Sequence, residues 1–141
     1  MSPSIAPVPV IVDASVAVDL AIGERVETPV AVRAWIAEGR MLLVPAAAWT
    51  EIGHAILRRL DGDAIRATRR LEQVEATGLE TADRGPAGVR SAMVLAERHR
   101  LSVYDAAYLW LAIDVDGELA THDRDLARAA VAEGVALALR S

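Results

Sequence analysis

The chain has 141 residues, 53% of them hydrophobic, and a formal net charge of −5. It contains no cysteine and no lysine, so all 15 basic residues are arginine. This composition suits one domain with a hydrophobic core. It excludes disulfides, thiolate nucleophiles, Cys-ligated zinc, a P-loop lysine and Schiff-base chemistry, and it argues against a bulk polycationic grip on nucleic acid.

Residues 1–7 carry neither a basic segment nor a long apolar one, which argues against a secretory signal. No apolar run approaches the ~20 residues of a membrane span. The expectation is a cytoplasmic protein with no membrane contact. Its first seven residues are expected to be flexible, and residues 8–141 to form one domain.

In chain order, residues 8–13 are β-branched and apolar and predict a buried strand ended by Asp13. Ser15 is placed to cap a helix over 16–22, stopped by Gly23. Pro29 opens a helix over 29–38. Residues 41–44 predict a second strand, closed by Pro45. Helices follow over 46–60 and 63–76, the second with Ile65, Leu71 and Val74 inward and its arginines outward. Residues 79–82 predict a short strand. Gly85-Pro86 starts a helix to about Arg100, and an apolar helix covers 103–114. Residues 119–121 predict a strand, 124–133 a helix and 135–139 a last strand. Such alternation implies a mainly parallel sheet with helices on both faces, and these sheets bind ligands at the carboxyl ends of their strands.

Four acids stand out against apolar surroundings. Asp13 ends the first strand, Glu51 lies within Trp49-Thr50-Glu51-Ile52, Asp105 within Ser102-Val103-Tyr104-Asp105, and Asp123 follows Leu119-Ala120-Thr121-His122. Each has a structural explanation on its own. Asp13 suits a turn, Asp105 completes the form of a capping box, and Asp123 can cap the following helix. Glu51 is harder to explain, because its neighbours place it near the core-facing side. Buried acids need compensation, and a divalent cation compensates several at once. Ser15 and Thr121 are candidate supporting hydroxyls. Asp125 is either an auxiliary ligand or a first-turn acid favoured by the helix dipole. Asp19, Asp114 and Asp116 read as solvated or turn residues. Arg58, Arg59, Arg66, Arg69 and Arg70 form either a solvated face or a contact for phosphates or an acidic partner.

The same segments resemble the PIN domain, and within it the VapC-type toxin ribonucleases. Val10-Ile11-Val12-Asp13-Ala14-Ser15-Val16, Trp49-Thr50-Glu51-Ile52, residues 101–109 around Tyr104-Asp105-Ala106-Ala107-Tyr108, and residues 119–130 around Thr121-His122-Asp123 match in order and spacing. The resemblance implies a Rossmann-like three-layer α/β/α fold. It implies Mg²⁺- or Mn²⁺-dependent endoribonuclease activity on single-stranded or looped RNA, a homodimer, and inhibition by a cognate VapB-type antitoxin. It carries Asp13, Glu51, Asp105 and Asp123 over as catalytic metal ligands, with Thr121 in support. Two departures bear on substrate choice: the loop after the first helix is acidic, with Glu24 and Glu27, and any basic RNA contact must come from arginine. The competing expectations are a catalytically silent PIN-like binding module and a metal-dependent nuclease acting on DNA.

Overall fold

A computed structural model describes residues 6–139. Most of the segment expected to be flexible, residues 1–5, lies outside the described residues. The chain folds as β1 (Val10–Val12), α1 (Ala14–Ile22), α2 (Glu27–Ala37), β2 (Leu42–Val44), α3 (Ala48–Arg59), α4 (Ala64–Glu75), β3 (Glu80–Thr81), α5 (Gly85–His99), α6 (Val103–Asp114), β4 (Glu118–Ala120) and α7 (Arg124–Ala132).

The four strands form one parallel sheet in the order β3-β2-β1-β4. Val10 pairs with Leu42 on one side and Glu118 on the other, and Ile11 with Leu43 and Leu119. The order explains the layers. The chain steps outward from β1 to β2 to β3, then crosses back to β4 on the far side of β1. Right-handed crossovers therefore place the early helices on one face and α5 and α6 on the other. The packing agrees: α1, α3 and α4 pack on one another, while α5 packs on α6, and α6 also packs on α7, β1 and β4. This is the expected three-layer α/β/α arrangement. Val10, Ile11, Val44 and Leu119 are fully buried in the sheet, and Ile52 and Ile56 from α3 and Leu109 from α6 are fully buried in the same core. Strands covered on both faces read as unbroken apolar runs, as β1 and β2 do.

Four expectations require correction. The last strand, 135–139, is reduced to one parallel bridge between Leu119 and Leu137. The first helix is capped by Asp13, whose carboxylate accepts from the Val16 amide, and Ser15 lies inside the helix. Aspartate outcompetes the later serine because β1 delivers it directly to the N-cap position. Ile65 is exposed rather than inward, since α4 buries Ala67 and Val74 instead. Asp19, read as solvated, is buried.

Candidate active site

The four acids come from four different elements and gather at the carboxyl edge of the sheet. Asp13 is both the end of β1 and the N-cap of α1. Glu51 lies in the first turn of α3 and Asp105 in the first turn of α6. Asp123 follows β4 and caps α7. Neighbouring parallel strands β1 and β4 thus bring the first and last acids together, and two helix N-termini present the other two.

Asp13 is the fixed member. It is 3% exposed, and both carboxylate oxygens accept hydrogen bonds. Oδ1 accepts from Ser15 Oγ at 2.6 Å and from the Val16 amide at 3.0 Å. Oδ2 accepts from the Thr121 hydroxyl. Thr121 Oγ1 in turn accepts from the Asp123 amide at 2.9 Å. The supporting hydroxyls Ser15 and Thr121 therefore join the first acid to the turn bearing the fourth. Glu51 Oε1 accepts from the Tyr108 hydroxyl at 3.2 Å. Asp123 Oδ1 accepts from the amides of Asp125 and Leu126. Ser102 caps α6 by accepting from the Asp105 amide at 3.0 Å.

Electrostatics couple the group. Burial, despite three hydrogen bonds that oppose it, pushes Asp13 up to about 6, and the Asp105 charge adds to the shift. Glu51 is raised by burial and by the charges of Asp105 and Asp13. Asp105 is raised by burial and by Asp123. Burial and then Glu51 and Asp13 hold the Tyr108 phenol far above its ordinary value, so it remains a hydrogen-bond donor. Among the described residues, none of the four acids forms an ion pair with an arginine or histidine, although nine such pairs occur elsewhere. Mutually repelling carboxylates without a basic partner form an all-oxygen donor set suited to a hard divalent cation. As the side chains lie, no three Asp, Glu or His groups among the described residues converge closely enough to hold one ion. Side-chain adjustment would accompany binding.

Two clefts meet at Glu51. One, of about 430 Å³, is polar and is lined by Ser15, Asp19, Arg25, Arg59, His122 and Asp123 among others. The other, of about 310 Å³, is apolar and is lined by Pro45, Ala47, Val89, Val103, Tyr104 and Ala107 before reaching Glu51 and Tyr108. Tyr104 is 62% exposed there.

The remaining candidates separate. Asp125 is exposed and pairs with Arg128 at 3.1 Å, which favours the first-turn role over that of a ligand. Arg59 pairs with Glu24, and Arg70 donates to the Ala21 carbonyl at 3.2 Å, joining α4 to α1. Arg58, Arg66 and Arg69 are exposed. Three residues beside the acids escaped sequence reasoning: Asp19, Thr28 and His122. Asp19 accepts from the Thr28 hydroxyl, and His122 Nε2 lies 3.2 Å from Thr28 Oγ1 and 3.5 Å from Asp19 Oδ2. The available signal was a lone acid in the apolar stretch Ala17-Val18-Asp19-Leu20-Ala21.

A parallel α/β/α layer structure carrying acids at the carboxyl ends of its strands defines a class, and the sequence places the chain within it. A family model for the PIN domain matches residues 10–132, and the chain belongs to that family. Its fold is similar to that of PAE2754 from Pyrobaculum aerophilum, with a TM-score of 0.70 and 24% identity over 93% of this chain and 84% of that one. It is also similar to VapC20 from Mycobacterium tuberculosis, described as a sarcin-ricin loop cleaving toxin, with a TM-score of 0.68 and 17% identity over 85% and 94% of the two chains. A toxin–antitoxin complex from Klebsiella pneumoniae gives a TM-score of 0.66 at 19% identity over 94% and 99%. A comparison with curated proteins finds no match.

Proposed function

We propose that this protein is a divalent-metal-dependent endoribonuclease that acts as the toxin of a toxin–antitoxin pair. The observation that carries the reading is four electrostatically coupled carboxylates without a basic partner among the described residues. The family membership supports a nuclease, and the folds of VapC20 and the Klebsiella pneumoniae complex support the toxin role.

Asp13, Glu51, Asp105 and Asp123 would hold Mg²⁺ or Mn²⁺. Bound there, the cation would supply activated water for in-line attack on phosphorus and would offset charge gathering on the phosphoryl oxygens. Ser15 and Thr121 hold Asp13 in one orientation, which limits rearrangement during the reaction. Tyr108 orients Glu51 through the carboxylate oxygen it donates to. The apolar cleft and the open face of Tyr104 give an unstacked base a surface beside the acids, as single-stranded RNA recognition requires. Arg58, Arg66 and Arg69 are exposed cations available to flanking phosphates or to an antitoxin. Homodimerisation and a VapB-type antitoxin complete the proposal.

Mn²⁺ titration of the purified protein, with RNA cleavage assayed in the same buffer, tests the reading. Metal binding followed by cleavage that EDTA abolishes is the expected result. Metal binding with no cleavage of RNA, and cleavage of single-stranded or flapped DNA, would replace it with the DNA reading. No metal binding would favour a silent binding module.

A further inference from the structure

We infer that Asp19 and Thr28 form a positioning device that holds the turn 121–123, and with it Asp123, from the side opposite Asp13. The inference deepens the proposed function, but its geometric part stands without it.

The turn is gripped twice. On one side Asp13 and Ser15 reach it: Thr121 donates to Asp13, and the His122 amide donates to Ser15 Oγ at 3.0 Å. On the other side the His122 ring enters a pocket made by α1 and the start of α2, where Thr28 Oγ1 stands 3.2 Å from Nε2. The Thr28 hydroxyl has one hydrogen, and it goes to Asp19 Oδ2. The contact between Thr28 and His122 therefore requires the ring to donate from Nε2–H. Asp19 thus fixes the direction of the Thr28 hydroxyl, and Thr28 fixes the imidazole. Thr28 is fully buried, and Asp19 is 3% exposed.

The chemistry is costly for a merely structural contact. Asp19 Oδ1 is buried and has no hydrogen-bond partner, and its ion pair with Arg25 is long, at 3.6 Å. A buried carboxylate left half satisfied is worse for stability than an apolar side chain of similar size. Its retention makes sense if the oriented hydroxyl is what matters. Asp123 is the residue next to His122, and its own amide hangs on Thr121. Loss of the outer grip leaves the turn held from one side only.

The test uses four variants of the full chain, Asp19→Leu, Asp19→Asn, Thr28→Val and Thr28→Ser, with Thr77→Val as a remote hydroxyl-loss control. Amide hydrogen exchange of His122 and Asp123 is read by NMR in metal-free protein, and Mn²⁺ affinity by calorimetry. Asp19→Leu and Thr28→Val should speed exchange at both amides about tenfold and weaken Mn²⁺ binding by roughly 10–100-fold, the usual loss when a ligand's support is removed. Asp19→Asn and Thr28→Ser retain the acceptor and the hydroxyl and should stay near wild type. In active protein the loss falls on kcat, with KM for RNA unchanged. Wild-type exchange and Mn²⁺ affinity in Thr28→Val would overturn the inference, even if Asp19→Leu fails to fold. Altered exchange in a wild-type background that cleaves no RNA would uphold the device and sink the proposed nuclease instead.

Discussion

At the scale of single residues, the central fact is that Asp13 serves two roles at once. It caps α1 and anchors the acid cluster, and both of its oxygens are engaged. An Asp13→Asn exchange must turn an amide N–H₂ toward a hydroxyl or the Val16 amide, so it disturbs the fold along with the site. Asp105→Asn is the cleaner probe, because the Asp105 carboxylate is less buried and the amide that Ser102 caps is unchanged. We expect Asp105→Asn to cut cleavage roughly a hundredfold or more while leaving the circular dichroism spectrum intact. Its effect on stability has a definite sign. Burial and Asp123 raise Asp105 above its ordinary value, so over that interval the folded state holds a proton the unfolded state has released. Stability is then lost as pH rises. The asparagine variant escapes this loss and also relieves Asp13 and Glu51 of a like charge. In EDTA, the variant and wild type should melt together near pH 4, and the variant should melt higher at pH 7. A variant that melts lower at pH 7 would contradict the coupling.

At the scale of elements, where helices start was the most legible feature and side-chain direction the least. Most helices begin within a few residues of where the sequence places them, because Asp13, Asp63, Ser102 and Asp123 each cap a helix. Ile65 faces solvent against expectation: a 3.6-residue period fixes a stripe but not which edge of it meets a neighbour. The 135–139 segment pairs only at one bridge, also against expectation: an apolar run looks the same whether it pairs along its length or at one point. Two element-scale consequences can be measured. Gly117 leads into β4 where an added Cβ would meet Ile11 Cδ1 and the Pro9 carbonyl oxygen, both at 2.9 Å. Gly117→Ala should therefore cost about 1–3 kcal/mol of unfolding free energy, read from urea denaturation. On α6, Tyr104 presents an open ring to the apolar cleft. Tyr104→Ala should weaken binding of a single-stranded RNA by about 1–3 kcal/mol with little change in thermal stability. An unchanged KM would remove the cleft from the substrate path.

For the whole molecule, the alternation of apolar strands and helices was enough to predict a parallel three-layer sheet, since chain crossovers of one hand leave few alternatives. The placement of Asp13, Glu51, Asp105 and Asp123 along one edge of the sheet was also legible, because strand ends and helix starts share that edge, but no three of the side chains converge on one point among the described residues, and their role as ligands belongs to the proposed function. The Asp19–Thr28–His122 contacts were not. They join positions 94 residues apart through side chains that are individually commonplace, and no local pattern marks them. The proposed metal site would make the cation a part of stability. A cation that binds only the folded chain raises its melting temperature by mass action, and at the proposed site it would also relieve repulsion among the four acids. Millimolar Mn²⁺ should raise the midpoint, and more strongly at pH 7 than at pH 5, where protonation of Asp13 competes with it.

Cleavage of RNA by the purified protein in Mg²⁺ or Mn²⁺, with EDTA and Asp105→Asn alongside, is the most direct test of a metal-dependent ribonuclease. Cuts should require the metal and vanish in the variant. Equal cleavage by a well-folded Asp105→Asn protein, or cleavage that persists in EDTA, would contradict that function.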